Sequence, residues 1–416
     1  MPVKGPLTGI RVLDMSQAHA GPFGSQVLGD MGAEVIKIES PLGDLLRMGA
    51  EKKKAGADVM LEMRGGGYYL LALNRNKKGL MLDWYTPAGK QAFFDLVKIS
   101  DIVYDNFRAG VMERLGFDYD SLKKINPKII SCSITGFGRS GPYANEPSFD
   151  DKAQGIAGMY SLCGEMGGPP MRSPVAIADI SSGMFAAMAV GFALYGREQT
   201  GEGRRLDINL LDSSMALMAT HYGYLFEFNQ VPMPQGTKHP LTAMLGVFRT
   251  KNGHITVGPC WPRICRVINK EWLIEDERFK DPVFNRMINK KALEEEIEDG
   301  LMQADTEDWL ELAKAEDLPF GPVYTLDKTL QDPQVLHNKT EITLDHPEYG
   351  TIRAIDCAIE MSGIEGEYTA PPLCGQDNDY VFKELLGYSD DQIAQIQKEQ
   401  EDNWEQMKLH VHKETG

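Results

Sequence analysis

The sequence predicts an α/β protein: a parallel sheet with helices on both faces forms its larger part, and a smaller α+β domain is set into the middle of the chain. Three observations lead there. Short apolar runs bounded by glycine alternate with helix-length stretches through the first third of the chain, a helix of small residues follows, and Pro/Gly punctuation then brackets a stretch with a hairpin-like pattern. At 416 residues the chain exceeds one typical domain, and two are expected.

Taken in order, GIRVLDM reads as a strand, GSQVLGDMG as the helix after it and EVIKIE as the next strand. GLMLDW, PAGKQAFFDLVKIS, DIVYDNF, YDSLKKINP and KIISCSITGF continue the rhythm, so at least four strands share one sheet. Right-handed crossovers gather the loops beyond the carboxyl ends of such strands, which makes residues 14–22, 39–47, 74–78, 105–114 and 135–143 the candidate site loops. Residues 181–196, SSGMFAAMAVGFALYG, form a helix whose Ala and Gly positions suit close packing against another backbone. TGEGRRLDINLLDSSMALM is a turn, a strand and a helix, after which VPMPQGTKHPLT marks a boundary. The smaller domain is expected from about 225 to 325, with GVFRTKNGHITVG turning at Asn252-Gly253. Beyond GPVYTL, β-like patterns resume, and the final helix is capped by Ser389 with Gln392 in capping-box spacing.

Composition narrows the function. The apolar fraction of 42% and charged fraction of 25% are ordinary globular values, and no run of about 18 uncharged apolar residues offers a membrane span. Met1 to Gly9 carries neither a basic-plus-apolar signal nor an Arg-rich leader, so the cytoplasm is the expected compartment. A net charge of −17 argues against a nucleic-acid surface; an anionic small ligand would have to be held by local cations and backbone amides. The six cysteines show no CxxC pair and no zinc spacing, so no metal site is expected. No GxGxxG follows the first strand, Gly65-Gly66-Gly67 precedes a Tyr-Tyr pair rather than a strand-to-helix turn, and P-loop, GxSxG and HExxH motifs are absent.

The informative pattern is composite. GIRVLDMSQAHAGP, EVIKIESPLGD, NRNKKGLMLD, DNFRAGVMERLGF, SITGFGRSGPY, ADISSGM, QTGEGRRLDINLLDS, GPV and APPLCGQ occur in an order and spacing that resembles the class III CoA-transferases, the group of formyl-CoA, carnitine and benzylsuccinate CoA-transferases, over nearly the whole chain. The resemblance implies a Rossmann-like large domain built from both chain ends, here 1–224 and 326–416, a small domain at 225–325, and interlocked dimers. It also implies transfer of CoA from an acyl-CoA donor such as succinyl-CoA to a carboxylic acid, with no permanently bound cofactor. An aromatic or branched dicarboxylate such as benzylsuccinate is the suggested acceptor, given the apolar Met159, Tyr160, Met171, Met244, Phe248 and Trp261. Partners are then the two substrates and a second subunit, identical or related, with neither nucleic acid nor membrane.

Asp179, in IADISSGM, matches the family's catalytic aspartate; read without the resemblance, it is an N-terminal cap for the Ser181 helix. Ala18, His19, Lys77, Asn106, Phe107 and Arg114 match positions around CoA, and Gly136 and Phe137 match the loop near the reacting carbonyl. A lysine such as Lys77 also reads as an ordinary surface charge, and His19 as filler of the strand-helix turn. The formyl-CoA enzymes carry an arginine where this chain has Ser40-Pro41, leaving Arg47 and Arg108 as substitutes; their oxalate-specific polyglycine loop is absent, which argues against formyl-CoA and oxalate. An α-methylacyl-CoA racemase would share the fold, but where its His-Asp pair belongs the chain reads Phe149-Asp150, and phenylalanine accepts no proton. A non-catalytic subunit of a heteromeric transferase is disfavoured by the presence of Asp179.

Overall fold

A computed structural model describes residues 5–47, 67–240, 242–364 and 366–414, with side chains as far as 404; Met1 to Lys4 and the first two glycines of the Gly65-Gly66-Gly67 run lie outside the described residues. The chain divides into two compact units, one of Met1–Ala157, Val175–Met218 and Lys339–Gly416, the other of Gly158–Pro174 and Ala219–Asn338. The second unit takes in residues 158–174, which the sequence reading kept with the large domain.

In the first unit the chain runs β1 (Arg11–Asp14), α1 (Ala20–Asp30), β2 (Glu34–Glu39), α2 (Tyr68–Leu73), β3 (Lys77–Met81), α3 (Pro87–Lys98), β4 (Ile102–Asp105), α4 (Val111–Leu115), α5 (Tyr119–Ile125), β5 (Ile130–Thr135), α6 (Asp150–Ile156), α7 (Ile177–Thr200), β6 (Arg205–Asn209) and α8 (Leu210–Leu217). The six strands pair in parallel in the order β3-β2-β1-β4-β5-β6, with Leu13 level with Ile36 on one side and Val103 on the other. Strand order reverses between β1 and β4, and the crevice beyond the carboxyl ends of these two strands is where doubly wound sheets bind ligands.

The strands alternate strictly between two cores. Val12, Val35 and Ile102 face Leu28 of α1 and Ala186 and Val190 of α7. Their neighbours Leu13, Ile36 and Val103 face Phe93 and Leu96 of α3 and, from the far end of the chain, Val381 and Phe382. Phe93 is fully buried, 4.1 Å between centroids from Phe117, and truncating it to Ala would cost about 3–5 kcal/mol.

The second unit holds α9 (Ala219–Phe228), the antiparallel β7 (Gly246–Arg249) and β8 (His254–Val257), α10 (Arg263–Val267), α11 (Trp272–Glu275), α12 (Val283–Ile288), α13 (Lys290–Leu301), α14 (Thr306–Ala315), β9 (Phe320–Pro322), α15 (Leu326–Thr329) and α16 (Pro333–His337). Its hairpin turns at Asn252-Gly253, where the Thr250 amide donates to the Gly253 carbonyl. Its core includes Met244 and Phe248, so these two fill an interior instead of lining a pocket.

The chain then returns to the first unit as the hairpin β10 (Glu341–His346) and β11 (Gly350–Ile355) and, after a π-helical turn, α17 (Asp390–Glu414), whose start carries the Ser389–Gln392 capping box. On the way, the side chains of Asp377 and Asn378 accept the Gly79 and Met81 amides, so the C-terminal segment covers the exposed edge of β3.

α7 is, among the described residues, the one helix whose length and apolar composition would also suit a membrane span. It behaves as a core helix: Ala178, Ala186 and Val190 are fully buried against the sheet. It crosses α1 at a contact only glycine allows, because a Cβ on Gly183 would stand 2.5 Å from the Ala20 carbonyl oxygen and one on Gly24 would stand 2.6 Å from the Gly183 carbonyl oxygen.

Candidate active site

That crossing brings the starts of α1 and α7 together: His19 immediately precedes α1, Asp179 is the third residue of α7, and His19 Nδ1 lies 3.9 Å from Asp179 Oδ2. Both line a cavity of about 390 Å³ with residues from the ends of β1, β4 and β5. This is the topological switch point.

The loop carrying His19 is held from beneath by a lattice of buried charge. Asp14, the last residue of β1, accepts from the Ser16 amide at 2.9 Å, from the Ser25 hydroxyl at 2.6 Å and from Lys77 Nζ at 3.0 Å. Lys37 of β2 donates to the Ser16 carbonyl at 3.0 Å and to Asp44 at 2.9 Å, and Asp44 accepts the Ala18 amide at 3.1 Å. Asn106 completes the hold, its amide accepting the Gln17 N–H at 2.8 Å and donating to the Gln17 carbonyl at 2.7 Å. Ala18 can then sit at φ +60°, turning the chain into α1. Burial alone would raise the Asp14 pKa; Lys77 and Lys37, with the two serines, outweigh it and hold the group below its ordinary range. Burial, with Lys37 nearby, takes Lys77 down to about 8 against the pull of Asp14, so the lysine stays charged at neutral pH.

Asp179 has the opposite surroundings. Its side chain is 18% exposed, and among the described residues no lysine or arginine pairs with it. Burial, then the charges of Asp150 and Asp151, push it up to about 7. Burial also lowers the His19 pKa, against the pull of Asp150, so the imidazole is neutral near pH 7; its buried Nδ1 has no hydrogen-bond partner among the described residues. Asp179 is not the helix cap that its sequence position suggested, because α7 begins two residues earlier, at Ile177. The capping role falls to Asp150 of α6, whose Oδ1 accepts the Ala178 and Asp179 amides at 2.9 and 3.2 Å.

The cleft gathers six of the nine residues singled out in the sequence: Asp179, Ala18, His19, Asn106, Phe107 and Gly136. The other three lie elsewhere. Lys77 is 4% exposed and spends its ammonium on Asp14, Asn74 and the Pro22 carbonyl, so it belongs to the lattice and not to a phosphate site. Arg114 is exposed on α4 and does not line the cavity, and Phe137 packs edge-on against Tyr143 at 5.6 Å with Lys152 over its face. Of the two substitutes for the missing family arginine, Arg47 is committed to both carboxylate oxygens of Glu39 and to the Pro372 carbonyl. Arg108 is exposed at the cavity wall and has no ion-pair partner among the described residues.

Sequence reasoning missed Asp105 at the end of β4, which burial raises to about 6 despite a hydrogen bond from Ser133, and Tyr69, whose ring meets His19 edge-on at 5.1 Å. Asp150, which the family resemblance places near the site below Asp179 in rank, has a task that the sequence did not assign: it caps α7, and its i, i+4 spacing to Gln154 was the available signal.

The sequence matches the family described as CoA-transferase family III over residues 7–378. Among similar proteins are the succinyl-CoA:glutarate CoA-transferase of Homo sapiens, 32% identical over 401 residues, with 94% of this chain and 88% of that protein covered, and the succinate–glutarate CoA-transferase of Agrobacterium fabrum, 32% identical with 92% and 96% covered. Among solved structures, a CAIB/BAIF family protein from Brucella suis superposes with a TM-score of 0.79 at 30% identity, covering 92% of this chain and 99% of that one. A cleft at the switch point, the parallel sheet that the sequence predicts and a match across nearly the whole chain agree, and the protein belongs to CoA-transferase family III: it is an enzyme that moves coenzyme A between carboxylic acids.

Proposed function

We propose that Asp179 is the covalent nucleophile of this transfer, with succinyl-CoA as the donor and a dicarboxylate as the acceptor. One observation carries the first part: a mostly buried carboxylate without a cationic partner among the described residues, at the wall of the switch-point cleft. A structural acid would be paired or solvated.

In the first half-reaction an Asp179 oxygen attacks the thioester carbonyl, the carbon–sulfur bond breaks, and CoA leaves as thiolate, giving a mixed anhydride. The thiolate then attacks the Asp179 carbonyl, the donor acid departs as carboxylate, and CoA is held as an aspartyl thioester. The acceptor carboxylate attacks that thioester, re-forming an anhydride and freeing the thiolate, which attacks the acceptor's carbonyl and restores Asp179. No net proton moves, which suits a site whose imidazole is neutral. The Ala178 and Asp179 amides are occupied by Asp150 and do not serve the oxyanion; His19 Nδ1, unpartnered and facing Asp179, is the group placed to hydrogen-bond the acyl oxygen. Arg108 is the cation for CoA phosphate, with Ala18, Asn106, Phe107 and Gly136 shaping the wall.

The dicarboxylate acceptor is supported by the two glutarate-using relatives; benzylsuccinate tests how bulky an acid the site admits. The reading includes a cytoplasmic enzyme that works as a dimer, of itself or with a related chain, in keeping with Phe192 and Tyr195 of α7 standing 73% and 71% exposed. The test is to incubate the protein with succinyl-CoA, reduce with borohydride and map the modified peptide. Reduction at Asp179 that requires acyl-CoA supports the reading, and bound CoA without any modified carboxylate contradicts it. Product formation from succinyl-CoA with glutarate, and its failure with monocarboxylates, tests the acceptor.

A further inference from the structure

α7 starts in an unusual way. The residue before it, Ala176, has no side-chain group with which to cap, and the first amides of the helix are satisfied from 28 residues away by Asp150, the first residue of α6. Gln154, one turn along α6 and fully buried, donates to Asp150 Oδ2 at 2.5 Å and reaches the Val175 carbonyl at 3.5 Å. A D-x-x-x-Q pair on one helix thus braces residues 175–179 of another. For capping alone the charge is unnecessary, because an asparagine or serine accepts the same amides. Here the cap is a carboxylate, only 6% exposed, beside the carboxylate that has to ionise.

We propose that Asp150, held by Gln154, is a positioning residue for Asp179: it fixes the first turn of α7 from outside, and its negative charge is a working part of the arrangement. The inference rests on Asp179 being the nucleophile. An ordinary carboxylate attacking a thioester forms a tetrahedral adduct that expels the carboxylate again in preference to the more basic thiolate. Bringing the carboxylate's basicity closer to that of the thiolate sends more of the adduct forward. The groups that face Asp179 are Asp150 and Asp151 from α6 and His19 from the start of α1, with no lysine or arginine paired to it among the described residues. Of the two acids, Asp150 acts more strongly on Asp179, and it acts on His19 as well.

Asp150→Asn separates charge from shape. The new amide would face the Gln154 donor, but Gln154 Oε1 has no partner among the described residues, so a flip of that side chain restores the hydrogen bond and the cap survives. With succinyl-CoA and glutarate, the full-length variant is expected to melt no lower than the parent, keep its KM for succinyl-CoA within about twofold, lose about tenfold in kcat, and show its kcat–pH midpoint lowered by about one unit. Asp150→Glu, which returns the charge, should bring the midpoint back toward the parent. Unchanged kcat and midpoint in Asp150→Asn overturn the inference, as does a loss of kcat with no movement of the midpoint. Asp179→Asn is run alongside: if it stays active, the nucleophile assignment has failed; if it is dead while Asp150→Asn is normal, only the role of Asp150 has failed.

Discussion

Two groups of ionisable residues flank the loop between β1 and α1, and they are built to opposite rules. In the lattice of Asp14, Lys37, Lys77 and Asp44, all at most 4% exposed, every charge meets an opposite charge and further hydrogen bonds. In the group of Asp179, Asp150 and His19, two acids face one another beside a neutral imidazole and no lysine or arginine pairs with Asp179 among the described residues. The first arrangement fixes the backbone. The second leaves an electrostatic penalty standing, which a fold tolerates where the group has work to do.

The comparison breaks first on activity. Asp179→Asn should lower turnover by about a thousandfold or more, since it replaces the attacking carboxylate with a neutral, poorly nucleophilic amide, while leaving the protein folded; kcat measurement with a melting curve on the same sample checks both. Lys77→Met should do the reverse. Stranding Asp14 among uncompensated partners should cost about 3–5 kcal/mol in urea unfolding, and a variant as stable as the parent would show that the lattice is dispensable.

A pH series sharpens the contrast. Asp179 must be ionised to attack, so with its pKa up to about 7, kcat should rise as pH increases through that value. The stability sign follows. The folded protein holds this proton more tightly than the unfolded chain, so stability attributable to the group is lost as pH rises from the ordinary value of 3.8 through about 7. Asp179→Asn should therefore melt higher than the parent at about pH 8 and match it at about pH 4. A smaller effect is expected at the cleft wall: Arg108→Ala should raise KM for succinyl-CoA about tenfold with kcat nearly unchanged, an effect that weakens in high salt. The smallest belongs to Lys78, whose half-exposed ammonium pairs with Glu34 at 3.2 Å: Lys78→Ala should change stability by less than about 1 kcal/mol and leave kinetics alone.

The parts legible in sequence were those that local pattern controls. Alternation of strand and helix predicts the parallel sheet with helices on both faces, and the small residues of 181–196 predict close packing of that helix against another backbone, which the structure realises at Gly183. The illegible parts depend on partners far apart in the chain. Lys77 resembles a phosphate ligand until the fold sets it against Asp14, 63 residues away. Arg47 and Arg108 look equivalent until Glu39 claims one of them. Asp179 resembles a cap until Asp150 takes that place. In each case the residue type announces a capability, and the tertiary partner decides whether it is spent inside the fold or left for a ligand.

The central claim, that the unpaired Asp179 becomes acylated during transfer, is tested most directly with a glutarate acceptor labelled with heavy oxygen in its carboxylates. Attack on the aspartyl thioester makes an acceptor oxygen the bridge of the anhydride, and collapse toward acceptor-CoA leaves that oxygen on the enzyme. After multiple turnovers the peptide containing Asp179 should carry heavy oxygen in its side chain, and no other acidic peptide should. Full turnover with an unlabelled Asp179 peptide would contradict the account.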